Sequence, residues 1–340
     1  MTRKTNTLLI FTCFILLPAA WCAGKEAAGG PEALISRARS QGDLWTEGTQ
    51  PTIMRADLQV SDARGNLVHG DYVFYWVSPS QWREEIRFAN YARIRVRDAK
   101  GYWQTSGVAY QPEVIFQVDK LLHLKDTAKV GTKQSLGKVR SEKNDGVLQN
   151  CTLVKWQSSI DRNLCFDEAS GSLLSIDYPT GATQNTPEIT RIEYSAFTAV
   201  AGKLVPYEIR ALKGAKVVAD VKVSQISKMT EENPALFTAP SDAEFWAQCD
   251  DIQEEELVNQ VLATYPPGPK LNHEQGRVII YAVIETDGSL SRLAIIQHVS
   301  PVLDADALAA VRQWRYKPAS CGKMPIRTET SIATDFYIGP

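Results

Sequence analysis

Histidines, cysteines and paired carboxylates are the side chains of this sequence that could bind a metal or perform acid–base chemistry. The histidines are isolated, with no metal-ligating partner at a suitable spacing; they are His69, His123, His273 and His298. Glu84 and Glu85 are adjacent, and adjacent residues of a strand point to opposite faces, so they cannot share one substrate bond. No nucleophile elbow, Walker loop or glycine-rich dinucleotide turn follows a predicted strand. The sequence therefore predicts a binding protein rather than an enzyme, with no metal or cofactor.

Residues 1–23 have the layout of a secretory signal peptide. Two basic residues precede an apolar run, Leu8 to Leu17, and small residues suited to cleavage lie near Cys22 and Ala23. The run is too short for a bilayer core, which needs about 20 apolar residues. The sequence therefore predicts export to the periplasm, with an uncleaved N-terminal anchor as the alternative. A lipid anchor on Cys22 is less favoured, because Trp21 lies where that cleavage needs a small residue.

Four cysteines remain once the signal peptide is removed, namely Cys151, Cys165, Cys249 and Cys321. An even number in an oxidising compartment favours disulfides, although four cysteines allow three connectivities. Cys151 and Cys165 lie in adjacent strand-like segments, which favours a bridge across a hairpin and leaves Cys249 to pair with Cys321. A zinc site is the alternative, but neither pair has the close spacing of zinc ligands.

Length and charge limit the classes of partner. The chain has 340 residues, which predicts two domains, each large enough for its own core. Charged residues make up 22% and the net charge is −2, so electrostatics do not favour nucleic acid or anionic lipid as the main partner.

Short strand-like segments separated by turn residues dominate the N-terminal half. The first are Met54–Val60, Val68–Val77, Trp82–Phe88 and Tyr91–Arg97, and others follow from Cys151 to Val217. Helical spacing occurs at Pro31–Arg39 and Pro112–Leu124. This pattern predicts a large curved antiparallel sheet, similar to a half-barrel, with a helix.

Residues 30–240 resemble the periplasmic lipoprotein carriers related to LolA. The resemblance rests on Ser78-Pro79-Ser80-Gln81-Trp82-Arg83 and on the segment Asn233–Pro240. It implies an incomplete barrel whose concave apolar face accepts acyl chains. The tryptophans that could line such a cavity are Trp45, Trp76, Trp82, Trp103 and Trp156. The alternative is that these tryptophans are core residues of a large sheet.

The sequence predicts a small α+β domain at residues 265–340, preceded by an acidic linker at 241–264. Its predicted elements are a strand at Arg277–Glu285, the turn Asp287-Gly288, a strand at Leu290–His298, a helix from Ser300-Pro301 to Pro318, and a strand at Met324–Ile338. Leu303, Ala307, Val311 and Trp314 recur at helical spacing, which predicts that Trp314 is structural. The expected fold is a three-stranded antiparallel sheet covered by one main helix.

This domain resembles the C-terminal domain of the TonB family. The matching residues include Tyr265-Pro266-Pro267, Asp287-Gly288 and Trp314-Arg315-Tyr316-Lys317-Pro318. The resemblance implies a module that grips an extended peptide. Gly268 and Pro269 replace the family's first short helix and predict a loop there. The chain also lacks the family's histidine in its hydrophobic segment and a proline-rich spacer, so we do not expect it to couple to a proton-driven motor alone.

The last strand predicts where an extended partner would bind. Nothing after it in the chain can pair with its outer side, unless the strand lies between the other two, and from Thr328 to Ile338 it contains no Pro or Lys to block the edge. The predicted partner-binding residues are Arg327, Thr328, Thr330, Ile332, Thr334, Phe336 and Ile338. The partner would be an outer-membrane receptor or another envelope protein that adds a strand. Self-pairing into a homodimer is one alternative, and an N-terminal carrier of a lipid or acyl ligand is another.

Overall fold

A computed structural model describes residues 29–61, 66–89, 91–98, 101–105, 122, 134–156, 161–183, 186–230, 233–247 and 252–338. The signal peptide, Cys249 and all of the predicted 112–124 helix except Leu122 lie outside these ranges. No helix among the described residues has the length and apolar character needed to cross a membrane.

The N-terminal domain begins with helix α1 (Pro31–Gly42). The strands that follow are β1 (Thr52–Ser61), β2 (Leu67–Ser78), β3 (Gln81–Phe88), β4 (Tyr91–Arg97), β5 (Gly101–Thr105), β6 (Gln134–Leu136), β7 (Arg140–Asn144), β8 (Val147–Trp156), β9 (Arg162–Asp167), β10 (Leu173–Thr183), β11 (Thr186–Ser195), β12 (Thr198–Val200), β13 (Lys203–Val205), β14 (Glu208–Lys213), β15 (Lys216–Lys228) and β16 (Ala243–Ala247). A 3-10 helix, Pro234–Phe237, precedes β16.

The C-terminal domain is smaller. Its elements are β17 (Ile252–Gln253), β18 (Glu256–Asn259), α2 (Pro267–Leu271), β19 (Gly276–Ile284), β20 (Leu290–Gln297), α3 (Pro301–Val311), β21 (Arg315–Lys317), β22 (Ser320–Cys321), β23 (Met324–Pro325) and β24 (Thr328–Phe336). The strand order β20-β19-β24 forms a three-stranded antiparallel sheet, with α3 packed on it. The predicted fold class is therefore confirmed for this half.

The large sheet is antiparallel, as predicted. Within the described residues it has fourteen strands in the order β16-β5-β4-β3-β2-β1-β15-β14-β11-β10-β9-β8-β6, with β7 beside β8. Alternate residues of its strands point to one face, which we call the inner face, and there bury the hydrophobic core. Met54, Phe74 and Ile192 belong to this core, and Leu34 and Ile35 of α1 pack into it.

The described residues of the segment predicted as an acidic linker, 241–264, include three strands. Strand β16 pairs with β5 and becomes the edge of the large sheet. Strand β17 pairs with β22, and β18 pairs with β21 of the C-terminal domain. In these pairings the main-chain N–H and C=O groups of the segment bond to other strands. In an unstructured linker they would bond to water instead.

A short helix, α2, lies where the sequence predicts a loop. Pro267 occupies its first position and Pro269 its third. Proline is tolerated in the first turn of a helix because the main-chain N–H groups of that turn have no partner within the helix. The loop prediction was wrong because it treated first-turn prolines as if they were interior ones.

Helix α3 ends earlier than predicted, at Val311 rather than near Pro318. Residues Arg315–Lys317 form β21, and the Tyr316 N–H donates to the carbonyl of Gly288 at 2.9 Å. Gly288 has φ +80°, and an added Cβ would lie 1.8 Å from the Tyr316 carbonyl oxygen, so this contact requires glycine. Trp314 nevertheless packs with Leu303, Ala307 and Val311, as its spacing predicts.

The two domains meet through the inner face. The face of the C-terminal sheet opposite α3 packs Tyr281, Val283 and Ile296 against Trp246 of β16 and Tyr102 of β5. Strand β10 also approaches β19. The C-terminal domain thus covers part of the inner face of the large sheet.

Candidate functional site

Strand β24 lies at the edge of its sheet. Strand β19 is central and pairs with β24 over nine consecutive positions, from Gly276↔Phe336 to Ile284↔Thr328. No strand within the described residues pairs with the outer side of β24. An unpaired edge presents a row of main-chain donors and acceptors to another strand. The predicted strand addition depends on this edge position of β24.

Most of the predicted partner-binding side chains face α3 rather than outward. Ile332 is 4% exposed and Phe336 is 2% exposed, and both belong to the core of the domain. Thr328, Thr330 and Thr334 share that face and are half-buried. Because a strand with alternating apolar residues turns one face to the core, the side chains of Ile332 and Phe336 point away from a partner, and their predicted role in binding stays a prediction.

Ser331, Ala333 and Asp335 form the exposed face of the edge strand. Arg277 directs its carbonyl towards Gln297 of β20, and the Glu285 N–H bonds to the hairpin residue Ser289. Since main-chain direction alternates along a strand, the even-numbered residues of β19 bond to β24. Their partners Ile332 and Thr334 therefore point main-chain groups inward, and Ser331, Ala333 and Asp335 point theirs outward. Sequence reasoning missed these three residues, although their parity relative to Ile332 indicates them.

Ion pairs fix both ends of β24. At its C-terminal end Asp335 accepts two hydrogen bonds from Arg277, at 2.6 and 2.7 Å, and the hydrogen bond raises the pKa of Arg277. Ile338, also a predicted partner residue, donates its N–H to Gln275 Oε1 at 3.2 Å. The C-terminal end of the edge strand, after Ser331, is thus held in place by Arg277 and Gln275.

The N-terminal end of β24 is tied to other segments. Arg327 forms ion pairs with Glu285 at 2.6 Å and with Glu244 at 3.0 Å. Thr328 donates to Glu255 at 3.3 Å. These contacts occupy Arg327 and Thr328, so the part of the edge open to a partner begins farther along the strand.

Tyr281 and Glu329 link the edge strand to the inner face. The Tyr281 hydroxyl donates to Glu329 at 3.1 Å, and Arg95 of β4 lies 3.5 Å from the same carboxylate. Burial, followed by the negative charge of Glu329, raises the pKa of Tyr281 far above its usual range. The hydroxyl is therefore a permanent donor to Glu329 at physiological pH.

Three of the predicted cavity tryptophans, Trp45, Trp76 and Trp82, lie close together, and Trp103 does not join them. Trp76 is fully buried in the core with Phe74, and Trp82 is half-buried, with its ring 5.8 Å from that of Phe74. Trp103 lies on the opposite face, where its ring is 5.1 Å from that of Phe245. The side chain of Trp156 lies outside the described residues. Trp103 has the opposite strand parity and points away from the face that Trp76 and Trp82 share, so it cannot line one cavity with them, and a cavity on that face stays a prediction.

A buried ion pair lies on the inner face. Glu84 and Arg93 are each 1% exposed, and their side chains are 3.0 Å apart. The Tyr72 hydroxyl donates to Glu84 at 3.2 Å, and Arg95 lies 3.8 Å from it. Glu85 accepts hydrogen bonds instead from Arg83 and Arg87 on the outer face, as the predicted opposite orientation of the two carboxylates requires.

Cys151 and Cys165 are joined by a disulfide between directly paired residues of β8 and β9. Glu142 lies beside them, but disulfide sulfurs are not the thiolates that bind zinc, so this cluster is not a zinc site. Cys321 is also disulfide-bonded. Its predicted partner, Cys249, lies outside the described residues, so that pairing stays a prediction.

Replacing both Cys151 and Cys165 by Ala is expected to destabilise the N-terminal domain by about 3 kcal/mol, because the bridge closes a short loop in the unfolded chain. Urea denaturation of the oxidised protein and the double variant measures the difference. Mass spectrometry of unreduced peptides is the control. Free thiols at both positions in the exported protein would contradict the prediction.

Comparison with known proteins found similar solved structures and one matching family model. The search of the curated proteins found no match. Among solved structures, the chain is similar to a LolA superfamily protein from Nitrosomonas europaea, with 11% identity, a TM-score of 0.41, and coverage of 62% of this chain and 98% of that one. It is also similar to a DUF1329 family protein from Desulfovibrio piger, with 11% identity, a TM-score of 0.42, and coverage of 61% and 95%. Residues 262–338 match the family model of the Gram-negative bacterial TonB protein C-terminal domain, which indicates an envelope-associated protein.

Proposed function

We propose that this protein is a periplasmic binding protein that captures an extended segment of an outer-membrane receptor or another envelope partner by strand addition to β24. The observation that carries the proposal is the position of β24 at the sheet edge, with Ser331, Ala333 and Asp335 exposed. The TonB C-terminal match of residues 262–338 supports the same class of partner. The proposal involves no enzymatic step and no cofactor.

The main chain of β24 supplies the affinity in this proposal. An added strand would hydrogen-bond to the outward N–H and carbonyl groups of Ser331, Ala333 and Asp335. Ile332 and Phe336 would hold the strand straight from the core side without contacting the partner. Specificity would come from partner side chains beside the small residues Ser331 and Ala333.

Replacing Ala333 by Pro is expected to weaken partner binding about tenfold, because it removes one outward donor and places a ring at the edge. The substitution spares the core, since Ala333 is exposed and its main-chain groups do not serve β19. The measurement is fluorescence anisotropy with an array of peptides covering the periplasmic segments of the bacterium's outer-membrane receptors.

Ala333→Val is the matched control, because it changes the same side chain but keeps the N–H. It should bind peptides as the unchanged protein does. Equal binding by the folded Pro and Val variants would show that strand addition does not occur at this edge. Sedimentation of both variants separates the homodimer alternative: if the Pro variant loses dimerisation while no peptide binds the unchanged protein, the edge pairs with a second copy.

A second proposal is a carrier of a lipid or acyl ligand in the N-terminal domain. Trp45 and Trp82 favour it, because both are half-buried and border the core beside Phe74. The core itself is filled by Trp76 and by residues of α1, so a ligand would have to displace side chains. Mass spectrometry of a lipid extract from protein purified out of the periplasm tests this function, and a lipid-free extract contradicts it.

A further inference from the structure

The contact between the two domains has a small apolar centre. Trp246, Tyr281, Val283 and Ile296 are buried together. The Trp246 ring stacks on the ring of Tyr102, with centroids 6.1 Å apart and planes 11° apart. Two of these residues belong to the large sheet and three to the C-terminal sheet, so the cluster exists only while the domains are in contact.

Charged groups surround this apolar centre. Glu244 of β16 accepts hydrogen bonds from Arg292 and from Arg327, the latter at 3.0 Å. On the other side, Arg95 lies 3.5 Å from Glu329. Each pair joins one domain to the other, and their signs are complementary across the contact. Such pairs fix the register of two surfaces.

Arg292 has an unusual backbone that serves this contact. Its φ is +53°, in the left-handed region that disfavours residues with a Cβ. It lies in a bulge of β20, between the pairs Tyr281↔Ala294 and Val283↔Ser291. Bulges re-aim side chains, and here the guanidinium lies 5.8 Å from the Trp246 ring and bonds to Glu244. A strained residue aimed at another domain indicates a role in that contact.

The C-terminal domain has a second core that does not depend on this contact. Val278, Ile280, Leu303 and Val311 are buried on the α3 side of the sheet. The apolar cluster with Trp246 is separate from it. Separating the domains would therefore expose Val283 and its neighbours and leave the packing between the sheet and α3 in place.

We propose that the C-terminal domain is a removable cover on the inner face of the large sheet, and that Arg292 is the clamp that holds it closed. The cover lies over Trp246, which is buried, and over Tyr102 and Arg95, which are half-buried, and all three become more exposed when it opens. This inference is independent of strand addition at β24, because Arg292, Val283 and Trp246, on which it depends, lie in β20, β19 and β16.

Two single-cysteine reporters on β19 distinguish opening from unfolding. Val283 and Val278 are both 0% exposed, but Val283 packs on Trp246 and Val278 packs towards α3. Each is replaced by Cys in the unreduced full chain, and its reaction rate with a neutral maleimide is measured with and without Arg292→Gly. Glycine accepts the positive φ, so this substitution removes the clamp without straining the bulge.

We expect Arg292→Gly to speed labelling of the Val283→Cys reporter about tenfold, the effect of losing one charge-assisted hydrogen bond of ordinary strength. Labelling of the Val278→Cys reporter should stay unchanged. Arg292→Lys, which keeps the charge, should give an intermediate rate. Equal rates at Val283 with and without the clamp would overturn the role of Arg292. A parallel increase at both reporters would overturn the removable cover, because the domain would then open only by unfolding.

Discussion

Replacing Trp314 by Ala should destabilise the C-terminal domain by about 3–5 kcal/mol. The indole is 6% exposed and packs with Leu303, Ala307 and Val311, so its removal leaves a large cavity. Its N–H also donates to the Val261 carbonyl at 2.7 Å, and the substitution leaves that carbonyl without this donor. Urea denaturation followed by circular dichroism measures the loss.

Trp314→Phe is the control for this prediction. It keeps most of the buried apolar area but cannot donate to Val261, so we expect a smaller loss. If Trp314→Ala left the melting temperature unchanged while it abolished peptide binding, the indole would be a recognition residue and its structural role would be wrong.

Replacing Arg93 by Met should destabilise the N-terminal domain by about 3 kcal/mol, because it removes a guanidinium 3.0 Å from the buried Glu84 carboxylate. Arg95, at 3.8 Å, is more distant and cannot fully replace that interaction. The buried carboxylate then keeps its desolvation cost without its close countercharge. Thermal unfolding of the purified variant measures the effect.

The double variant Glu84→Gln/Arg93→Met removes both charges and keeps an acceptor for the Tyr72 hydroxyl. It should recover most of the lost stability, since a buried pair contributes little beyond its own desolvation. If the double variant were as unstable as Arg93→Met alone, packing of the Arg93 side chain rather than charge would explain the loss.

The sequence predicted those features that depend on local pattern. Alternation of apolar residues located β1 to β4 within two residues of their observed ends, because a strand with one buried face has a period of two. The adjacent strands at Cys151 and Cys165 predicted the disulfide for the same reason. The same alternation, applied to Ile332, would have placed Ala333 rather than Ile332 on the exposed face of the edge.

Long-range pairing was not predictable from local pattern. The Ala243–Ala247 segment joins β5, which lies more than a hundred residues earlier in the chain, and its acidic neighbours suggested a linker. The bulge at Arg292 has no glycine or proline to mark it, so only the register of β20 against β19 reveals it. Contacts of Glu244 and Trp246 with the C-terminal domain depend on both of these features.

The path of the chain into β16 means that the protein cannot be divided cleanly into two modules. After β15 the chain crosses the outer face, where the Arg83 guanidinium donates to the Leu236 carbonyl at 3.0 Å, and then completes the sheet beside β5. A fragment ending at residue 240 would therefore expose the edge of β5 to aggregation. A fragment beginning at residue 262 would lose β18 and the Val261 acceptor of Trp314. Gene fusion or domain exchange at this boundary would have to transfer β16 to β18 with one half and supply matching strands in the other.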